Sequence, residues 1–316
     1  MRARVITRAR ASALLIGGVA ACAAPVLAQA NTTVRIGLTP LEGAAEPYYA
    51  EDMRFFAKVG VTADIQVMQA APAIAAAIAS KAIDIGYSPL DTLANIHQKR
   101  IPLVVVAPAA EYLFPNTARV VALVLPANSS VYQAKDLNGK IIASPALHSL
   151  AETASRVWID QNGGDSSTIK FTEVPFPAMP AALEAGRIDA AYVAEPFIPI
   201  ASKTGRILAY LFEGISKHFI ITAWFTTPEW ARDHPDLVKR FAAVMHETAV
   251  WANGNLLQSG AILAKYTKID PTVVATMART RFAELLTPNL MQPLIDVSAK
   301  YNGFDTFPAK ELIYVP

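Results

Sequence analysis

A sixteen-residue stretch of this 316-residue chain recurs in recognisably the same order. Pro72 to Tyr87 reads PAIAAAIASKAIDIGY, and Pro177 to Tyr192, 105 positions later, reads PAMPAALEAGRIDAAY. Seven positions match without a gap: Pro72/Pro177, Ala73/Ala178, Ala76/Ala181, Ala77/Ala182, Ile83/Ile188, Asp84/Asp189 and Tyr87/Tyr192. Each copy predicts a turn, a short alanine-rich helix and an Ile-Asp pair that opens a strand. The spacing exceeds the roughly 20–50 residues of a solenoid period. It points instead to two similar α/β lobes facing each other across a cleft, with chance likeness between alanine-rich helices as the competing explanation.

The first thirty residues predict a secretory signal peptide. Arg2, Arg4, Arg8 and Arg10 make a basic start, Ala11 to Ala24 is apolar but too short to span a bilayer, and Ala28-Gln29-Ala30 supplies a small-x-small cleavage pattern. Val19-Ala20-Ala21-Cys22 is a competing, lipobox-like site at which Cys22 would be lipidated. Release after Ala30 is the favoured expectation, because Leu is absent three positions before Cys22. Cys22 is the sole cysteine, so disulfides, thiolate metal clusters and a cysteine nucleophile drop out of the folded part. An exported chain without disulfides fits a bacterial periplasm.

Removing the leader inverts the charge. Of 28 basic residues, four are leader arginines, which leaves 24 against 26 acidic residues and a net charge near −2. Nucleic-acid binding loses its electrostatic footing.

Along the rest of the chain, short β-branched runs alternate with alanine-rich amphipathic segments, the pattern of an α/β fold with mainly parallel strands. Strands are expected at Val34–Leu38, Ile65–Met68, Ile83–Gly86, Leu103–Ala107, Lys140–Ala143, Ile169–Val174 and Ile207–Leu211. Helices are expected from Pro47 to Gly60 and over Ile74–Ser80, Leu90–Gln98 and Leu150–Gln161. From Pro235 the chain reads as helical to about Ala299, with Leu237, Phe241, Met245 and Thr248 on one face. Residues 31–119 and 221–316 are expected to form lobe one, with the C-terminal helices on it, and 120–220 lobe two. No Pro/Gly-rich linker intervenes, so strands near Val120–Leu125 and Phe219–Phe225 are expected to cross between lobes.

In open α/β sheets a ligand sits beyond the carboxyl ends of the strands, where helix N-termini present free N–H groups. Five loops hold that position: Thr39–Glu46, Gln69–Pro72, Ser88–Asp91, Ser144–Ser149 and Pro175–Ala178. They supply the candidates Glu42, Pro72, Ser88, Asp91, Ser144, His148 and Ala178. Ser88-Pro89-Leu90-Asp91 also reads as a helix cap, and Ser149-Leu150-Ala151-Glu152 as a capping box that makes Glu152 structural. Glu195 follows the repeated strand and precedes Pro196, which favours extended geometry and a place on the cleft side. Tyr48 opens the first helix, and Trp224, in the presumed return strand, is either core or an aromatic wall.

Enzyme signatures are missing. The chain has no Gly-x-Ser-x-Gly, Gly-x-Gly-x-x-Gly or phosphate-loop motif. His246-Glu247 lacks the second histidine of a zinc helix, Val250 standing in its place, and the five histidines are scattered. No metal or cofactor is expected.

Four stretches together carry a family resemblance: Tyr48-Tyr49-Ala50 through Phe55-Phe56-Ala57-Lys58-Val59-Gly60, Ala79 through Gly86, Asp136-Leu137-Asn138-Gly139-Lys140, and Ala182 through Ala190 ending in Glu195-Pro196. The chain resembles the periplasmic solute-binding proteins of ABC importers in the nitrate/sulfonate/taurine group, whose domain is also called sulfonate-binding or thiamine-pyrimidine-synthase-like. Lys81 departs from the pattern, where such proteins usually carry Gly. The cysteine-rich motif of the eukaryotic pyrimidine synthases on this fold has no counterpart. The resemblance implies a type II periplasmic-binding-protein fold, two lobes closing on a small solute, and delivery to a membrane permease with its cytoplasmic ATPase, as a monomer without a catalytic step. The competing expectations are an enzyme on the same fold acting on a small cyclic acid, and a ligand sensor for a membrane receptor. None of the five loops contains Lys or Arg, which favours a heteroaromatic amine or another neutral-to-cationic solute over an anion.

Export makes a first testable statement. Intact-mass measurement of the protein released by osmotic shock should give a chain beginning at Asn31, and a lipidated Cys22 at the N-terminus would overturn it.

Overall fold

Residues 31–117 and 119–316 are described by the computed structural model, so the expected leader and Cys22 lie outside the described residues. The chain begins with β1 (Thr32–Leu38), whose alternate residues Val34, Ile36 and Leu38 are buried on one face. It continues through β2 (Val61–Val67), β3 (Ile85–Pro89), β4 (Val104–Pro108) and β5 (Ala110–Leu113). Next come β6 (Val121–Pro126), β7 (Ile141–Ser144), β8 (Lys170–Glu173), β9 (Ala190–Ala194) and β10 (Gly205–Tyr210). The last three are β11 (His218–Ile220), β12 (Thr222–Thr226) and the two-residue β13 (Arg281–Phe282).

Two five-stranded sheets follow the same plan. In the first, with order β2-β1-β3-β12-β4, the first three strands run parallel and β12 lies antiparallel to both neighbours. In the second, β8-β7-β9 run parallel and β6 lies antiparallel to β9, with β10 antiparallel beyond it. The sequence repeat is therefore structural. Asp84 accepts the Arg35 N–H at 2.8 Å while its own N–H donates to Arg35 O at 2.9 Å. Asp189 does the same with Ile141, again at 2.8 and 2.9 Å. The close approach of β1, β3 and the helix Ala71–Ala79 needs glycine, because a Cβ on Gly86 would fall 2.6 Å from Ile74 Cγ2.

The expected crossing strands need correction. Val120–Leu125 and Phe219–Phe225 do not join the sheets along their whole length: β6 and β12 occupy the equivalent fourth position inside each sheet. A separate ribbon, β11-β5-β13, makes the passage. The β-like run from Phe219 divides at Ile221, whose N–H donates to Ala110 O at 2.9 Å. Glu111 on β5 ties the ribbon together, 3.0 Å from His218 Nε2 on β11 and 2.7 Å from Arg281 Nε on β13.

Helices Leu90–Gln98 and Leu150–Gln161 form where the sequence predicts them. The expected helix from Pro47 to Gly60 is broken, because Arg54 takes a left-handed φ of 59° between Glu46–Asp52 and Phe55–Lys58. Lys81 is left-handed at φ 60°, and Gly186 holds the matching position of the second copy at φ 66°. The long helix Pro235–Gly254 buries Leu237, Phe241, Met245 and Thr248, while Pro288–Asn302 packs on both Leu90–Gln98 and Leu150–Gln161. Among the described residues no helix is long and apolar enough to cross a membrane.

The twin aspartates should differ in weight. The Asp84 side chain is 10% exposed and also pairs with the Arg35 guanidinium, whereas Asp189 is 36% exposed beside a half-exposed Lys140. Asp84→Ala should cost about 2 kcal/mol and Asp189→Ala about 1 kcal/mol. Chemical denaturation checks this, and equal losses would contradict the burial argument.

Candidate functional site

All five of the expected loops meet at one cavity of about 110 Å³, bounded by the carboxyl ends of both parallel strand sets. Thr39, Leu41 and Gly43 come from the loop after β1, and Gln69 through Pro72 from the start of helix Ala71–Ala79. Pro89 ends β3 and Thr92 follows it, Pro145, Ala146 and Ser149 follow β7, and Phe176 follows β8. Ala194 at the end of β9, Glu195 just past it, Thr222 and Thr280 add to the lining. Helices Ala71–Ala79 and Leu150–Gln161 thus begin at the cavity wall, where their unpaired N–H groups favour electron-rich ligand atoms.

Of the candidate side chains, Pro72 and Glu195 line this cavity. The others stand behind or beside it, each for a local reason. Buried Ser88 donates to Pro89 O at 3.2 Å, and Ser144 donates to Ala146 O at 2.6 Å, so both hydroxyls shape their own loops. Glu42 is fully buried, accepting from the Arg279 guanidinium and, at 2.7 Å, from the Thr280 N–H. Tyr48 stacks on Tyr266 with centroids 5.0 Å apart. Trp224 is core, its Nε1 donating to Glu46 Oε2 at 2.8 Å. His148 is exposed at φ 54°, where its backbone N–H donates to Glu152 at 3.0 Å, and Ala178 is exposed. Asp91 is buried one residue from the lining Thr92.

Two residues outside the candidate set face the cavity from equivalent positions, Tyr87 on β3 and Tyr192 on β9. They are the last matched pair of the sequence repeat. Three residues past each twin aspartate lies the middle of the strand, so the repeat brings one tyrosine to the cavity from each sheet. Burial raises both phenols' pKa, and the Asp91 carboxyl adds to the rise at Tyr192.

The cavity wall contains neither Lys nor Arg. Glu195 Oε1 accepts the Ala278 N–H at 2.8 Å, while its buried Oε2 has no partner. Burial, opposed by the Ala278 and Ile198 N–H groups and reinforced by the Glu42 charge, pushes the Glu195 carboxyl up to about 8. Asp91 likewise leaves Oδ2 unpartnered, and burial, reinforced by Glu152, pushes it up to about 7. A carboxyl of this kind either keeps its proton or requires a donor from outside, since an unpaired buried charge is costly. The wall therefore offers mainly apolar surface, two tyrosines and one incompletely satisfied carboxyl.

Comparison with known proteins bears on the family and the fold. The chain is 28% identical over 195 residues to the taurine-binding periplasmic protein of Escherichia coli (strain K12), covering 60% of this chain and 58% of that protein. The match spans less than two thirds of the relative's length. The ligand-binding component of an ABC-type import system from Staphylococcus aureus, solved with zinc bound, superposes with a TM-score of 0.77 at 16% identity, over 90% of this chain and 96% of that one. The alkanesulfonate-binding protein from Xanthomonas axonopodis pv. citri, bound to MOPS, gives 0.73 at 17% identity, over 90% and 99%. These likenesses establish the periplasmic-binding-protein fold. The model of the NMT1-like family matches residues 28–264, more than half of the chain, and the protein belongs to that family.

Proposed function

We propose that this protein is the substrate-binding component of an ABC-type importer, capturing a small organic solute and handing it to a membrane permease with its cytoplasmic ATPase. Residues 31–119 with 221–316 form one lobe and 120–220 the other, and the monomer works in the periplasm without a catalytic step. Support comes from the family, from the fold and above all from the convergence of five loops of both sheets on a cavity that holds Glu195.

The solute class follows from the wall. Apolar side chains and the phenols of Tyr87 and Tyr192 suit a flat or apolar body, and the orphan oxygen of Glu195 suits an N–H donor. An anion would have only helix N-termini and hydroxyls to meet it, with Glu195 alongside. A heteroaromatic amine meets both requirements. Its ammonium or ring N–H displaces the proton that Glu195 holds near neutral pH, so binding releases protons to the buffer.

Mass spectrometry of the solute that co-purifies with the protein tests the class directly. Titration calorimetry with a heteroaromatic amine, taurine, methanesulfonate and nitrate then ranks the binders. The charged hydrogen bond contributes roughly 1.5–3 kcal/mol, so Glu195→Gln should weaken the amine about ten- to a hundred-fold. Tightest binding by methanesulfonate or nitrate, or improved affinity in Glu195→Gln, would reverse the charge assignment.

Glu195 also sets a pH dependence on the solute-free protein. Its folded-state value is about 8, against an ordinary 4.5 in the unfolded chain. Between these limits the folded state holds a proton that the unfolded state has released, so stability is lost as pH rises through the window. Glu195→Gln removes that slope. Its melting temperature relative to the parent should climb from about pH 5 to about pH 8, and a constant difference would mean that Glu195 titrates normally.

A further inference from the structure

We infer that Glu195 couples solute capture to lobe closure: Oε1 latches onto the Ala278 N–H of the opposite lobe and leaves Oε2 to the solute. The inference rests on the solute-binding reading and adds a mechanism to it. Both ends of the latch are held in place. Glu195 lies just past β9, and its own N–H donates to Val120 O at 3.1 Å. Ala278 sits in the short segment between helix Pro271–Thr276 and β13, which Glu42 grips through the Arg279 guanidinium and, at 2.7 Å, the Thr280 N–H. Arg279 also reaches Ser259 Oγ at 3.0 Å. Both Glu42 and the carboxyl of Glu195 are buried, so the pair of contacts holds a strap across the cavity edge, where Thr280 lines the wall.

Other hydrogen bonds span the same two parts of the chain: Asn95 Nδ2 to His148 O at 3.4 Å, Tyr301 Oη to Asp160 Oδ2 at 3.0 Å and Asn302 Nδ2 to Thr153 Oγ1 at 3.4 Å. None of these residues lines the cavity. Glu195 does, and a single carboxyl orients both of its oxygens at once. A donor that fixes Oε2 therefore holds Oε1 in the direction of Ala278, and closing the latch leaves Oε2, buried and without a partner, on a residue of the cavity wall. Such coupling is reciprocal, so the solute favours the closed form by as much as closure favours the solute.

The test needs no solute. Without the leader the chain has no cysteine, so Asn95→Cys and Leu147→Cys can be introduced as a pair, Leu147 being exposed next to His148. The rate at which this pair forms a disulfide in solute-free protein tracks the closed population. Glu195→Ala should slow it about three- to tenfold, the equivalent of one net hydrogen bond. Ala278→Pro should slow it by a similar factor, because it deletes the N–H. Met277, at φ −70° and ψ 153°, already has the geometry a following proline requires. The two changes together should slow it no further than either alone. Glu195→Gln keeps an acceptor oxygen and should trap at the parent rate. Equal rates in the parent and Glu195→Ala would overturn the latch, even where Ala278→Pro fails to fold. Absence of any bound solute would instead sink the importer reading and leave the trapping rates to be read as they stand.

Discussion

The structure depends on a two-way hydrogen bond made twice, by Asp84 with Arg35 and by Asp189 with Ile141. In each, an aspartate at the start of a strand accepts the backbone N–H of the neighbouring strand, and its own N–H returns a bond to the same residue. The parallel ladder then runs from that clamp, Ile36 beside Ile85 and Ile142 beside Ala190. Side chains alternate across a strand, so a slip of one residue would turn every wall-facing group the other way. Tyr87 and Tyr192 face the cavity because their aspartates, three residues earlier, have fixed the register.

The carboxyls around the cavity divide by how their burial is offset. Glu42 has a guanidinium and a backbone N–H, and serves architecture. Glu46 meets only the Trp224 indole, and burial raises its pKa well above the usual range. Glu46, Glu195 and Asp91 each leave one oxygen without a partner. Only Glu195 among these four lies on the wall itself. An unsatisfied oxygen is therefore not by itself the mark of a binding group, and its place on the cavity wall is what sets Glu195 apart.

Much of this was legible in the residues. The repeat, the five loops and helices Leu90–Gln98 and Leu150–Gln161 all follow from spacing and composition. The individual site residues were harder. Polar side chains such as Ser88 and Ser144 look like ligand contacts, yet a tight loop needs hydrogen-bond partners of its own and takes them first. The apolar or aromatic neighbours then face the cavity. Tyr87 and Tyr192 were visible as the end of the matched segment, but a tyrosine on a buried strand reads as core until the cavity beside it is located. The two-residue β13 and the left-handed Arg54 carry too little local signal to be read at all; both are set by contacts with distant parts of the chain.

The place of β12 has a consequence for how the chain reaches this state. It lies between β3 and β4, yet it is assembled from residues that follow the entire second sheet. Passage from the N-terminus delivers β1 to β4 first, and until Thr222–Thr226 arrives the facing edges of β3 and β4 have no strand between them. Exposed edges of that kind invite pairing with other chains. The second sheet has no such wait, since β6 through β10 are contiguous in the chain. The half encoded in one piece can therefore mature early, while the half encoded in two must be sheltered until its central strand is made.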